Sequence, residues 1–80
     1  MIKCLILKSG TTLISEIVEM DSEVGEPDCQ LVNPFEIIDD TLVRWPKITE
    51  QKFILINSDS ILTLVEPTEK ILSEYKNIFN

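Results

Sequence analysis

The sequence predicts a mainly β protein, a small and strongly bent five-stranded barrel followed by a C-terminal helix. Three observations carry this. Two apolar runs, Phe53 to Ile56 and Ile61 to Val65, are rich in β-branched and aromatic residues and flank the turn-forming stretch Asn57 to Ser60. Further strand-like segments upstream are punctuated by Gly10, Gly25, Pro34 and Pro46. After Glu66 the apolar spacing changes from about two residues to about 3.6, the period of a helix.

Eighty residues make a single domain spanning 1–80. By area scaling such a chain buries only roughly 60–65% of its unfolded surface, so self-association would add to its stability. Seven Lys or Arg stand against fourteen Asp or Glu, with no histidine, giving a net charge of −7. That balance argues against a broad electrostatic footprint for nucleic acid or an anionic membrane, while leaving room for a small local basic patch. Cys4 and Cys29 lie in or beside apolar runs without a CxxC or Cys/His cluster. They read as buried thiols of a reducing compartment, and no metal or cofactor is expected. The chain opens without a secretory signal pattern and holds no apolar run of ~18–20 residues, so a soluble, cytoplasmic protein is expected.

In chain order, strands are expected over residues 2–8 and 12–20, joined at Ser9-Gly10. In the second, Ile14, Val18 and Met20 share a side with Glu16, while Leu13 and Ile17 share the other with Ser15, a mixed pattern that suits a strongly bent strand. Asp21 to Asp28 gathers acids, glycine and proline into an exposed loop whose spacing matches no calcium loop. A third strand covers 29–38, with Pro34 marking an edge, a bulge or a break because proline donates no ladder bond. Asp39-Asp40 turns the chain into a short strand, 41–45, separate or merged with its neighbour, that Pro46 stops. Trp45 reads first as a core or hairpin anchor and second as a ligand-stacking or interface residue.

The stretch Phe53 to Glu66 reads as a hairpin of strands 52–57 and 60–66. Strand alternation puts Phe53 and Leu55 opposite Ile54 and Ile56, and Ile61 and Val65 opposite Leu62 and Leu64, so both faces are apolar. Each face needs a cover, and a second copy of the chain is the expected one. The helix is expected over 67–79, with Pro67 in its first turn and Ile71, Leu72, Tyr75, Ile78 and Phe79 as its apolar stripe. Tyr75 reads as a stripe residue with a wet hydroxyl.

Short bent strands with one helix fit an SH3-like barrel, with an OB barrel as the alternative. The residues resemble the Sm-like superfamily. Gly10 matches the glycine after strand one, Ser15 is the small residue at the second glycine, and Asp21 falls on the motif aspartate. The motif asparagine is absent, its spacing reaching Gly25. In the second motif Ile56, Asn57, Ser58, Asp59, Ser60 and Ile61 occupy a frame in which the family's arginine and glycine are replaced. With Asn33-Pro34, Trp45-Pro46 and the terminal helix, the layout looks like the short Sm-like proteins of marine tailed phages, host-cytoplasmic if viral.

The resemblance implies a ring in which the last two strands of neighbouring subunits pair edge to edge, through Phe53, Ile54, Leu55 and Ile56 and through Ile61, Leu62 and Leu64. It implies single-stranded RNA as a partner, contacted here by Asp21, Asn57, Ser58 and Asp59. The alternative is an oligomeric scaffold that docks an unknown protein and has lost the RNA pocket. No histidine, GxSxG, phosphate loop or Cys/His pair is present, so no catalytic residues are assigned and an enzyme is not expected.

Overall fold

The computed structural model describes residues 1–78. Six strands and a helix follow in order: β1 Ile2–Leu7, β2 Thr12–Glu19, β3 Cys29–Ile38, β4 Thr41–Arg44, β5 Phe53–Ile56, β6 Ile61–Val65 and α1 Glu69–Ile78, with a 3-10 turn at Ser58–Ser60 between β5 and β6. All strands are antiparallel to their partners, in the order β4-β3-β2-β1-β6, and β5 pairs with β3.

Local sequence explains the connections. Gly10, at φ +96°, closes the first turn, where its N–H donates to the Leu7 carbonyl at 2.9 Å. Asp39 and Asp40 both take positive φ, 50° and 63°, between the paired residues Ile38 and Thr41. This is the two-residue hairpin whose mirror-image turn matches strand twist, and Asp tolerates it better than most residues.

The expected hairpin over Phe53 to Glu66 is not formed. β5 pairs with β3 and β6 pairs with β1, while the chain between them turns through Ser58–Ser60. Asn57 drives this local choice: its side chain accepts from the Asp59 N–H at 2.9 Å, and the Ser60 N–H donates to its carbonyl at 3.0 Å. Such side-chain capping favours a helical turn over a tight hairpin. Alternation in β6 also breaks. A register shift opposite Ile6/Leu7 leaves Leu62 without a ladder partner and pairs Ile61 with Leu7 and Leu64 with Leu5, so Ile61 and Leu64 share a face.

The core has two sides. On one, α1 covers the sheet, with Ile71 and Tyr75 packed on Cys4, Ile14 and Phe35. On the other, Leu5, Leu7, Leu13 and Leu31 form the inner cluster, joined by Ile17, Trp45, Ile54, Ile56 and Ile61. The helix begins later than expected. Thr68 caps it, its hydroxyl accepting from the Ile71 N–H at 3.2 Å, so Pro67 precedes the cap rather than occupying the first turn. Phe79 lies outside the described residues.

The centre of the sheet is a bulge in β3. Ile14 pairs with Phe35 but Glu16 with Val32, so Asn33 and Pro34 together oppose Ser15. Asn33 takes φ +53°, and Pro34 has no N–H to leave unpaired. The Ser15 side chain is fully buried there, donating to the Glu16 carbonyl at 2.8 Å with the Val32 carbonyl at 3.1 Å.

The same bulge answers for Tyr75, whose hydroxyl is not wet. It accepts from the Glu16 N–H at 3.3 Å and reaches the Asn33 and Val32 carbonyls at 2.9 and 3.1 Å, while its ring meets Phe35 edge-on at 6.0 Å. The helix thus supplies the polar partners that the broken ladder lost. Replacing Tyr75 with Phe leaves those buried groups short of a partner and should cost about 1–3 kcal/mol in urea unfolding, with helix content retained by circular dichroism.

Candidate functional site

Three surface features are built by this topology. The first is the turn that holds most of the candidate nucleic-acid residues. The loop after β2 folds back so that Ser22, Glu23, Glu26 and Asp28 meet Asn57, Ser58 and Asp59 around an open depression of about 290 Å³. Asp28 is the clasp: Ser58 donates from its N–H at 2.7 Å and from its hydroxyl at 2.6 Å to the two carboxylate oxygens. Those hydrogen bonds hold the Asp28 carboxyl below its ordinary range.

Asn57 spends its side chain on the Asp59 N–H and, at 3.4 Å, on the Glu26 carbonyl. The Asn57 and Ser58 side chains, expected to read a base, are therefore engaged internally, in acidic surroundings. Asp21 is exposed at the start of the loop and is not among the residues lining the depression. Among the described residues no group of His, Cys, Asp or Glu is arranged to hold a metal ion. Cys29, next to the clasp, is buried, and burial raises its thiol, as it does that of Cys4.

The second feature is the pair of strands expected at an interface. β5 and β6 each pair along one edge only. Ile54, Ile56 and Ile61 pack on the inner cluster and serve the core. Phe53 and Leu55 remain 57% and 52% exposed on the other face of β5, and Leu62 and Leu64 65% and 49% exposed on β6. Leu64 is informative because its ladder partner Leu5 is fully buried on the same face. The core continues under Leu5 and stops at Leu64, beyond which the sheet has no further strand among the described residues.

The third feature gathers Trp45 and a local basic patch at a place that the order of residues does not reveal. β3 changes partners at its bulge, from β5 along Cys29–Val32 to β4 along Phe35–Ile38. The Asn33 N–H donates to the Lys52 carbonyl at 2.7 Å and the Trp45 N–H to the Pro34 carbonyl at 3.2 Å, so the chain between β4 and β5 bows away from the sheet. A cleft of about 220 Å³ opens there, lined by Asn33, Arg44, Trp45, Gln51 and Lys52 among others. The available signal was the sequence itself: the only arginine, the only tryptophan and two lysines fall within residues 44–52.

The clasp makes a prediction about pH. A carboxyl lowered in the folded state stabilises it above the unfolded value, about 3.9, and that contribution is lost as pH falls through the folded value. Asp28→Asn should therefore flatten the loss of stability on acidification below about pH 4, as read by thermal melts across the acid range, and speed amide exchange at Ser58.

No helix among the described residues is long and apolar enough to cross a membrane. No curated protein matches the chain. A family model described as a family of unknown function, DUF6561, matches residues 1–80 over the whole length, and the chain belongs to that family.

Proposed function

We propose that the protein is an Sm-like, ring-forming subunit that acts as an interaction scaffold, assembled by pairing β5 of one copy with β6 of the next. The observation that carries this is Leu64, half-exposed on the face where its partner Leu5 is fully buried. A strand laid along the open edge of β6 places side chains alternately on both faces. It would cover Leu64 on the inner face and Val65, 44% exposed, on the other. β5 has the matching character, with Ile54 and Ile56 on its inner side and Phe53 and Leu55 on its outer side. Pairing of unlike edges is heterologous, and such contacts close into rings when the rotation permits. It also removes two open edges that would otherwise invite aggregation.

The order of elements supports an Sm-like barrel that is completed by assembly. Six strands rather than five contribute, since the chain along the outer edge of β3 is divided into β4 and β5. Single-stranded RNA on the Asn57 turn gains no support, because the Asn57 and Ser58 groups are bonded to the loop and Glu23, Glu26, Asp28 and Asp59 surround them. Acids beside a phosphate chain repel it. A protein docking through the clasped loop is the use that this face favours. The catalytic groups absent from the sequence leave no enzyme reading to argue.

Native mass spectrometry tests the assembly. The wild-type chain should form a closed oligomer, and Leu64→Asp should shift it to monomer with its β spectrum retained, because the side chain is already half in water. Ile54→Asp should instead unfold the chain, since Ile54 packs on the inner cluster. A wild-type monomer at tens of micromolar would refute the proposal. Extra mass removed by nuclease would replace the scaffold with an RNA-carrying ring.

A further inference from the structure

The cleft beside Trp45 inverts the electrostatics of the rest of the chain. In a protein with fourteen acids and seven cations, Arg44 and Lys52 line it, and no Asp or Glu is among its described lining residues. Arg44 donates from Nη2 to the Glu50 carbonyl at 3.0 Å, which fixes the guanidinium plane and leaves further N–H groups of its fork to donate. Trp45 packs on the inner cluster and also lines the cleft, so its indole is a wall held by the core. Asn33 and Gln51 bring two side-chain amides, each with donors and an acceptor. The Asn33 backbone is set by the bulge at φ +53°, and the Gln51 side chain donates a hydrogen bond from Nε2 to the Phe53 carbonyl at 3.3 Å.

We propose that this cleft binds a nucleotide, with its phosphate held by Arg44 and Lys52, its base against Trp45 and the amides of Asn33 and Gln51 at the base edge. An arginine fork and a lysine point charge are the side chains that recognise phosphate, and an indole face is the strongest stacking surface a protein offers. At about 220 Å³ the cleft is smaller than the ~300 Å³ and more of drug-sized ligand sites, so it takes the base and leaves the phosphate at the exposed Arg44 and Lys52. Ile78, the last residue of α1, also lines it. Ile78 is apolar, so the base rather than the phosphate belongs against it. A free nucleotide and one unit of a single strand share this chemistry. The site lies apart from β6 and from the acidic turn and meets the β5 edge only where Gln51 bonds the Phe53 carbonyl, and its cations and tryptophan do not depend on the assembly proposal.

The only tryptophan of the chain is Trp45, and its fluorescence reads the cleft directly. The full-length chain is titrated with uridine and adenosine monophosphates and with single-stranded hexamers of each, exciting at the red edge of tryptophan absorption and confirming by calorimetry. A saturable change is expected that weakens roughly tenfold in Arg44→Gln and in Lys52→Gln, two exposed positions whose substitution leaves the core untouched. Binding of hexamers alone identifies a single strand as the source, and equal binding of the monophosphates identifies a free nucleotide. No saturable change with any of the four probes overturns the proposal, as does one that both variants leave unaltered. An assembled ring with a silent tryptophan defeats the cleft alone, and a monomer that binds defeats the assembly alone.

Discussion

Everything in this fold depends on the bulge at Asn33-Pro34. A ten-residue strand in the middle of a small sheet has to serve neighbours on both edges, and at this point both edges change at once. Toward β2 the ladder slips by one residue opposite Ser15, and toward the other side β5 gives way to β4. Proline lowers the cost because it brings no N–H that the ladder would have to satisfy. The remaining polar groups still need partners in a buried place, and Tyr75 and Ser15 provide them. That explains why a helix follows the last strand: its tyrosine completes the hydrogen bonding of a strand more than forty residues earlier in the chain.

Two consequences follow from the change of partners. The chain between Trp45 and Lys52 is pushed off the sheet, leaving a cleft in which Arg44 and Lys52, two of the seven cations, lie beside the tryptophan. The strand that returns, β5, is aligned with the first half of β3, so the 3-10 turn carries the chain from there to β1 rather than back along β5. β5 and β6 are then each paired on one side only. An open edge with half-exposed leucines on an otherwise buried face is an incomplete core, and a small domain gains most from completing it with another chain.

Much of the architecture was legible in the sequence, for identifiable reasons. The strand segments were set by β-branched runs between turn residues, and the acidic pair Asp39-Asp40 forms the turn its residue types suggest. Pro34 marked a disruption of β3, which falls opposite Ser15 of β2. What failed was pairing. Apolar runs on either side of Asn57 to Ser60 look like a hairpin because local propensity says nothing about which distant strand each run will find. The extra residue at Leu62 was equally hidden, since a bulge reverses alternation without changing composition.

The candidate site was less legible. Asn57, Ser58 and Asp59 lie in a turn as expected, but the bonds that tie Asn57 to Glu26 and Ser58 to Asp28 depend on a loop about thirty residues away. The Trp45 cleft was missed because its residues come from β3, β4 and the connection to β5, which only the change of partners brings together. Arg44, Trp45, Lys47 and Lys52 are close in sequence, yet a cluster of that size is ordinary until a wall and a concave surface accompany it.

The central claim, that the open edges of β5 and β6 are paired between copies, is tested most directly by residue-resolved amide exchange over Phe53–Ile56 and Ile61–Val65. In an antiparallel strand with one neighbour, only alternate amides are bonded across the ladder. The account predicts slow exchange at successive amides through both segments in the assembled protein. Alternating fast and slow exchange, with the outward amides as labile as those of a loop, would contradict it.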